Sequence, residues 1–359
     1  MNLRSNNHSH RRSIVKAGAI SALLSPGLHA LSRNTDKIRI GQIGVSHAHA
    51  TKLSVYRSLP DYEIVGIVEP NQKLREQAMR QPAFHDLKWL TMEQLLETPS
   101  LSAVLVETEI KDLLSTAEQC VDAGKHVHID KPAGESLSQF EKILSIAKQK
   151  KLLVQMGYMY RYNPAILLLK NFLQEGWLGD VFEVHAVMSK VVPPEGRIAH
   201  AEYQGGMMFE LGCHLIDLIQ VVLGEPSNVS SFHQHVAKTN DLLLDNALAV
   251  LQYPRALATV KTSAQEVDGN ARRHLVVCGM NGTFHIQPLD NPSVRLTLAN
   301  PLSSYKAGQQ EISFPKFTRY IADAVDMARI IRGEKESDFS YEHDLAVHRT
   351  VIKASKLPS

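Results

Sequence analysis

Short apolar runs alternate with helical stretches through the first half of the chain, and this alternation restricts the fold more than any other feature of the sequence. Capping boxes at Thr91 and Ser136 mark the starts of two of the helical stretches. Strands that alternate with helices form βαβ units, in which the strands are parallel. The sequence therefore predicts an α/β fold whose first sheet is parallel and doubly wound, with strands at about 37–45, 63–68, 103–106, 125–129 and 152–156.

After about residue 157 the pattern changes to long strand-like runs with fewer helices. One helix, at about 207–223, interrupts these runs and ends at Gly224. The pattern predicts a C-terminal α+β domain whose large sheet is open and mostly antiparallel, with helices on one face. Two further helices, at about 317–332 and 341–356, are expected to pack back on the body of the protein.

The composition is that of an ordinary globular chain, with 44% hydrophobic and 21% charged residues in a total of 359. This length suggests two domains with sizeable cores. The formal net charge is +2 and the basic residues are dispersed, which argues against a nucleic-acid partner. The three cysteines lie far apart in the sequence and imply no disulfide framework.

The segment from His10 to Lys16, with the sequence HRRSIVK, resembles a twin-arginine export motif. The mildly apolar stretch 17–31 that follows is too short to span a bilayer as a helix. We predict that residues 1–34 form an export signal and that the processed protein is periplasmic, with no membrane span. The alternative is a basic tail without a targeting role, which would leave the protein in the cytoplasm.

A lysine follows the strand predicted at 125–129, in the tripeptide Asp130-Lys131-Pro132. Ligands of open α/β sheets bind outside the carboxyl ends of the strands, so Lys131 is expected beside a ligand. The pKa of a lysine falls readily on desolvation, and the side chain can then take part in acid–base catalysis. The alternative is a lysine that only forms an ion pair with Asp130.

Two more segments follow this tripeptide: Arg161-Tyr162-Asn163-Pro164, and the run from Gly205 to Asp217, which reads GGMMFELGCHLID. The longer run contains Glu210 and His214. In this order the three segments resemble the motifs of the glucose–fructose oxidoreductase / inositol dehydrogenase / MocA (Gfo/Idh/MocA) family of nicotinamide-dependent sugar oxidoreductases. The resemblance extends over about residues 37–357.

The resemblance implies an enzyme that oxidises a sugar or polyol. The N-terminal domain would be a Rossmann-like domain that binds NAD. The C-terminal domain would bind a sugar or glycoside, and its sheet would pair with a second copy of the chain. The predicted parts are the export signal at 1–34, the nucleotide-binding domain at 35–156, and the substrate and oligomerisation domain at 157–359.

The dinucleotide fingerprint Gly-x-Gly-x-x-Gly is only partly present, because Ser46 and His49 replace the second and third glycines after Gly44. The pyrophosphate is still expected at the N-terminus of the following helix. Glu69 follows the second strand, where an acid binds the adenosine ribose, so NAD is expected rather than NADP. The full set of predicted cofactor-binding residues is Gly44, Ser46, His47, His49, Glu69, Thr108, Asp130 and Lys131.

Glu210 and His214 are four residues apart and share one face of the predicted helix. The resemblance implies that they form the catalytic unit with Lys131. Either His214 or Lys131 would take the hydroxyl proton as hydride leaves for the nicotinamide, and the other would polarise the new carbonyl group. The predicted substrate-binding residues are Arg161, Asn163 and Asp217.

Two loops, at 44–49 and 107–113, depart from the family pattern and keep a second function open. In that alternative the protein is a glycoside hydrolase or lyase on the same fold, with NAD as a resident redox helper or a metal in its place. Histidine pairs near the strand ends could contribute to a metal site, but we predict no metal. A sensor without catalysis is disfavoured by the presence of Lys131 and His214.

Overall fold

The computed structural model describes residues 36–358 and the backbone of a short strand, β1 (Ile14–Lys16). No helix in this part of the chain has the length and apolar character needed to cross a membrane. The predicted export signal lies outside the described residues, apart from the backbone of β1, and the twin-arginine assignment stays a prediction.

The first sheet contains five strands: β2 (Ile38–Ile43), β3 (Tyr62–Val68), β4 (Leu101–Val106), β5 (His126–Ile129) and β6 (Val154–Met156). All of its pairings are parallel, which confirms the prediction, and the strand order is β3-β2-β4-β5-β6. The order reverses between β2 and β4, so the connections that leave these strands diverge. A crevice at such a point is the usual ligand site of an open α/β sheet.

Helices connect these strands: α1 (Leu53–Ser58) after a 3-10 turn at Ala50–Lys52, α2 (Gln72–Ala78), α3 (Met92–Leu96), α4 (Ile110–Asp122) and α5 (Leu137–Lys150). Their apolar residues form cores on both faces of the sheet. Leu113 and Phe140 belong to the core on one face, and Leu53 and Tyr56 to the core on the other. Burial of such side chains contributes about 1.5–3 kcal/mol each, so the helices hold the sheet between two apolar layers.

The second sheet contains β1 and eight further strands: β7 (Val181–Ser189), β8 (Asn228–Gln234), β9 (Asn246–Gln252), β10 (Leu257–Ser263), β11 (His274–Gly279), β12 (Gly282–Ile286), β13 (Ser293–Leu298) and β14 (Gly308–Ser313). The order is β1-β14-β13-β12-β11-β7-β10-β9-β8. Only the β1–β14 and β7–β10 pairs are parallel among these described strands, so the sheet is mostly antiparallel, as predicted.

Three helices accompany the second sheet: α6 (Pro164–Gln174), α7 (Pro194–Ala201) and α8 (Cys213–Leu223). The prediction of one continuous helix at 207–223 is wrong in its first turn, because Met208–Gly212 forms a π-helical turn before α8 begins. The turn starts after Gly206, whose φ is +50° and whose added Cβ would lie 2.4 Å from the carbonyl oxygen of Leu244. Such π turns are frequent at functional sites, and Glu210 lies within this one.

The two C-terminal helices are α9 (Ile321–Ile331) and α10 (Tyr341–Ala354). Ala324 and Met327 of α9 lie in the same apolar core as Ile40 of β2. The last part of the chain therefore completes the first sheet's core. Helix α10 packs against α5 and α8, and so it bridges the two halves of the protein.

Candidate active site

A groove of about 750 Å³ opens at the carboxyl ends of β2, β3 and β4. This volume is within the usual range for a cofactor pocket. Four of the predicted cofactor-binding residues line it: Gly44, Ser46, Glu69 and Thr108. The groove lies at the point where the strand order reverses, which is where a dinucleotide binds in folds of this type.

Gly44 permits a close approach between the loops that follow β2 and β4. Its φ is +90°, and an added Cβ would lie 2.5 Å from the backbone carbon of Glu107 and from the backbone nitrogen of Thr108. A side chain at this position would therefore separate the two loops and deform one wall of the groove.

The carboxylate of Glu69 is held in place by two backbone amides. One oxygen accepts a hydrogen bond from the Val45 amide at 3.2 Å, and the other from the Asn71 amide at 2.9 Å. The two bonds thus fix the orientation of the carboxylate at the part of the groove that follows β3.

The remaining predicted cofactor-binding residues do not line this groove. His47, His49 and Asp130 lie in a cluster beyond it, where His49 Nδ1 is 3.0 Å from one Asp130 oxygen and His47 Nε2 is 3.2 Å from the Lys131 carbonyl oxygen. The cluster connects the loop after β2 with the end of β5.

Lys52 occupies the centre of this cluster and was not anticipated from the sequence. Its ammonium group hydrogen-bonds an oxygen of Asp130 and lies 3.0 Å from an oxygen of Glu107 and 2.9 Å from His128 Nε2. The sequence contains one signal for its burial: Lys52 precedes the buried Tyr56 by four residues, on the same helical face.

One ammonium group, that of Lys52, contacts two carboxylates in this cluster, and these contacts shift the pKa values of its members. Burial alone would lower the pKa of Lys52, but Asp130 and Glu107 reverse the direction and raise it. Burial alone would raise the pKa of Asp130, but its basic neighbours hold it well below the ordinary value. The pKa of Glu107 is raised by burial, and burial lowers the pKa of His47 to about 4.

Potential metal ligands in this cluster already contact a cation of the chain itself. His47, His49 and Asp130 place ligand atoms within 4.8 Å of one another, and so do Glu107, His128 and Asp130. The Lys52 ammonium lies between the two carboxylates, and a second cation beside it would be repelled. We accordingly assign no metal to these residues.

Lys131 and Glu210, two of the predicted catalytic residues, form a buried ion pair. Lys131 Nζ lies 2.8 Å from Glu210 Oε2 and also donates to the Glu210 carbonyl oxygen at 3.1 Å. Burial alone would lower the pKa of Lys131, but the Glu210 carboxylate raises it. Burial alone would raise the pKa of Glu210, but Lys131 and Lys190 lower it. Both groups therefore stay charged at neutral pH.

His214, the third predicted catalytic residue, is buried beside this pair and is surrounded by rings. Its ring centroid lies 5.2 Å from that of Tyr160, 6.1 Å from that of Tyr158 and 6.5 Å from that of His49. Its Nδ1 has no hydrogen-bond partner among the described residues. Burial, and then the charge of Lys131, lower its pKa well below the ordinary value, so the imidazole is neutral.

The predicted substrate-binding roles of Arg161 and Asp217 require correction. Both side chains are buried, and Arg161 Nη2 lies 2.5 Å from one oxygen of Asp217 and 2.6 Å from one of Asp344. Arg161 Nε adds a bond of 3.0 Å to Asp217. The ion pair joins the segment before α6 to α8 and α10, and it leaves neither group free for a sugar.

Asn163, the third predicted substrate-binding residue, also uses its side chain within the fold. Its Oδ1 accepts the Ala165 amide proton at 2.9 Å and caps α6, and its Nδ2 donates to the Leu289 carbonyl oxygen at 2.8 Å. The amide is completely buried. The structure thus places all three of these residues in the framework around the site, outside direct reach of a ligand.

Comparison with known protein families agrees with this architecture. Residues 38–158 match the family model described as an oxidoreductase family with an NAD-binding Rossmann fold. Residues 166–285 match the model of the GFO/IDH/MocA C-terminal domain. Because these matches together cover more than half of the chain, the protein belongs to the Gfo/Idh/MocA oxidoreductase family.

Relatives with named activities are similar to this chain at low identity. A myo-inositol 2-dehydrogenase from Thermotoga maritima is 23% identical over 271 residues, which are 72% of this chain and 77% of the relative. A levoglucosan dehydrogenase, solved in complex with NADH and levoglucosan, has a TM-score of 0.76 at 16% identity, with coverage of 90% of this chain and 100% of that one. A UDP-N-acetylglucosamine 3-dehydrogenase from Acidithiobacillus ferrooxidans has a TM-score of 0.74 at 17% identity, with coverage of 90% and 98%. At these identities the solved structures show a shared fold.

Proposed function

We propose that the protein oxidises a CH–OH group of a sugar or polyol, with NAD as the hydride acceptor. The observation that carries this proposal is the Lys131–Glu210 ion pair beside a buried His214 whose Nδ1 has no hydrogen-bond partner among the described residues. A dehydrogenase needs one group to accept the hydroxyl proton and another to stabilise the developing carbonyl oxygen. The named activities of the relatives are of the same class.

The residues of the groove fit the proposed cofactor. Gly44 allows the close loop approach, and Glu69 lines the groove where we expect the adenosine ribose. NAD supplies the carbon that accepts hydride when it is bound. Because the Glu69 carboxylate would repel a 2′-phosphate, we propose NAD rather than NADP as the cofactor.

The protonation states assign the two acid–base roles. Burial keeps His214 neutral, so one of its ring nitrogens has a lone pair that accepts the hydroxyl proton. Lys131 stays protonated beside Glu210 and donates a hydrogen bond to the substrate oxygen as that oxygen becomes a carbonyl. Glu210 keeps Lys131 charged and oriented, so it is a positioning residue.

Two measurements test this function. NADH fluorescence and calorimetry should show binding of NAD(H), with NADP bound more weakly, and Glu69→Gln should reduce the difference. A panel of polyols and sugars should contain a compound that produces absorbance at 340 nm. Failure to bind either nucleotide, together with a stoichiometric transition metal in the purified protein, would contradict the proposal.

The predicted export signal adds a condition on the cofactor. A twin-arginine signal exports folded proteins, and free NAD is not available outside that membrane, so the cofactor would be retained and regenerated within each cycle. Retention implies a dissociation constant below about a micromolar, or roughly 8 kcal/mol of binding free energy. Single-turnover absorbance at 340 nm without added NAD tests this proposal. Turnover proportional to supplied NAD, with fast exchange of labelled NAD, would refute it.

Pairing with a second copy through the second sheet stays a prediction. The outer side of β8, β9 and β10 exposes Phe232, Leu248 and Leu257, away from the helices. Light scattering on the wild type and on a Phe232→Ser, Leu257→Ser double variant would check it. A wild-type monomer would contradict the prediction.

A further inference from the structure

Two clusters of charged side chains lie at the proposed catalytic site, and in each of them two cations share one carboxylate. In the first cluster, Glu210 receives Lys131 on one oxygen at 2.8 Å and Lys190 on the other at 3.3 Å. One carboxylate cannot neutralise two ammonium groups. Counted over these three side chains, the cluster carries one excess positive charge.

The second cluster repeats this arrangement with arginines. Arg273 Nη1 lies 2.8 Å from one oxygen of Asp290, and Arg319 hydrogen-bonds the other. The Tyr160 hydroxyl also donates to Asp290, at 2.6 Å. This hydroxyl carries no charge while it is protonated, and burial raises its pKa. The second cluster thus also carries one excess positive charge.

Both clusters are adjacent to His214. The ring of Tyr160, whose hydroxyl reaches the second cluster, lies 5.2 Å from the ring of His214. Arg273 Nε donates to the carbonyl oxygen of Ser189 at 3.4 Å, and Ser189 is the neighbour of Lys190 in the chain. Tyr160 thus links the second cluster to His214, and the backbone of Ser189 links Arg273 to the segment that carries Lys190.

In each cluster the most exposed member is a cation. The side chain of Lys190 is 28% exposed while that of Glu210 is 13% exposed. The side chain of Arg319 is 39% exposed while that of Asp290 is 16% exposed. A ligand that approaches either cluster consequently meets positive charge before it meets the carboxylate.

Both exposed cations keep hydrogen-bond donors for a ligand. His200 Nδ1 donates to the Gly196 carbonyl oxygen, so its Nε2 accepts from Lys190 at 3.2 Å. With Glu210 this uses two of the three ammonium protons of Lys190. Arg319 has five N–H donors, and within the described chain it makes one hydrogen bond, to Asp290.

From this arrangement we infer that the substrate is an anionic sugar, and that Lys190 and Arg319 bind its acidic group. This inference rests on the proposed function and names the substrate class for the same site. The acidic group is a carboxylate, as in a hexuronate, or a phosphate, as in a hexose phosphate. Ammonium and guanidinium groups form strong charge-assisted hydrogen bonds with either.

The test is calorimetric binding of matched sugars to the NAD-loaded protein: D-glucuronate against D-glucose, D-galacturonate against D-galactose, and D-glucose 6-phosphate against both glucose compounds. We expect at least one acid to bind about tenfold or more tightly than its neutral parent, and the preference to decrease with added salt. The uronate and phosphate arms distinguish the two acidic groups. Equal or tighter binding of every neutral sugar, or no saturable binding of any acid, would overturn the inference.

Variants of Lys190 and Arg319 test whether these two residues bind the acidic group of the substrate. Lys190→Met and Arg319→Gln should each weaken binding of the preferred acid by about tenfold and leave the neutral parent unchanged. Arg319→Lys should retain part of the affinity, because it keeps the charge. Lys148→Met and Arg255→Gln are matched controls, since both residues form exposed ion pairs, with Glu342 and Asp180. Unchanged acid affinity in both site variants, with wild-type melting temperatures, would also overturn the inference.

Nucleotide binding is measured separately by NADH fluorescence in the same preparations. A protein that prefers acids but binds no nucleotide would refute the proposed dehydrogenase function and leave the anion site standing. A protein that binds NAD but prefers neutral sugars would refute only the anion site.

Discussion

The ammonium nitrogen of Lys131 lies 2.8 Å from a carboxylate oxygen of Glu210, and this contact joins the end of β5 in the first sheet to the π turn that precedes α8. Both groups are largely removed from solvent, and each holds the other in its charged form. The pair therefore places a permanent hydrogen-bond donor beside the neutral imidazole of His214.

Removal of either acid–base group should stop catalysis without unfolding the protein. Lys131→Met and His214→Ala are each expected to lower kcat by about a hundredfold to ten-thousandfold, because a positioned proton donor or acceptor contributes this much. Steady-state kinetics on the substrate found by screening would measure the loss. NADH fluorescence should show nearly unchanged cofactor binding. Full activity in Lys131→Met would show that the assigned roles are wrong.

Replacement of Glu210 should change the pH dependence more than the maximal rate. In Glu210→Gln, burial is left to lower the pKa of Lys131 without the opposing carboxylate. Lys131 then loses its proton at a lower pH, and activity should decline on the alkaline side at a lower pH than in the wild type. A pH profile of kcat tests this. An unshifted alkaline limb would contradict the positioning role.

Gly44→Ala should damage the cofactor groove. The alanine must adopt a φ of +90°, and its Cβ would lie 2.5 Å from backbone atoms of the neighbouring loop. Gly124→Ala is a matched control, because Gly124 also has a positive φ, of +74°, but an added Cβ there meets no atom within 4 Å. The control should cost about 1 kcal/mol of backbone strain, and Gly44→Ala should cost more and weaken NADH binding. Equal effects in melting and binding would argue against a role of Gly44 in shaping the groove.

Arg161→Met should lower the free energy of unfolding and leave sugar binding unchanged. Removal of the guanidinium leaves Asp217 and Asp344 buried together without a cation, which typically costs about 3–5 kcal/mol. Arg255→Met, at an exposed pair with Asp180, should cost no more than about 1 kcal/mol. Urea unfolding compares the two. A wild-type unfolding midpoint with a raised KM would restore the substrate-binding role.

His348 should make the protein less stable in acid. It is buried against Phe140 and has no hydrogen-bond partner on either ring nitrogen among the described residues. Burial lowers its pKa from 6.5 to about 4, so between these values the unfolded chain binds more protons than the folded protein. The stability is complete above pH 6.5 and decreases as the pH falls towards 4, by at most about 3 kcal/mol from this residue.

The variant His348→Leu tests this dependence. Unfolding free energies measured between pH 7 and pH 4.5 should decrease less steeply in the variant than in the wild type, by the contribution of one proton. His47 and His128 also have lowered pKa values, but they contribute equally to both proteins. Identical slopes would show that His348 is not the acid-sensitive group.

The sequence by itself determined the order of strands and helices along the first half of the chain. Alternation of apolar runs and helices specified the parallel sheet, because each run can be buried on both faces only between helices. The positions of Lys131 and His214 could also be predicted. Lys131 follows a strand and His214 lies in a helix, and local residue patterns indicate both of these elements. Strands β13 and β14 and helix α7 were not among the predicted elements.

Only the tertiary structure decided which polar groups meet. Lys52 and Asp130 are 78 residues apart, and Arg161 and Asp344 are 183 apart, so no local pattern indicates either contact. Arg161 and Asp217 resembled sugar-binding residues because arginine and aspartate serve equally well at a ligand and in a buried ion pair. Their role depends on whether a buried partner lies within about 3 Å, and packing of distant segments sets that distance.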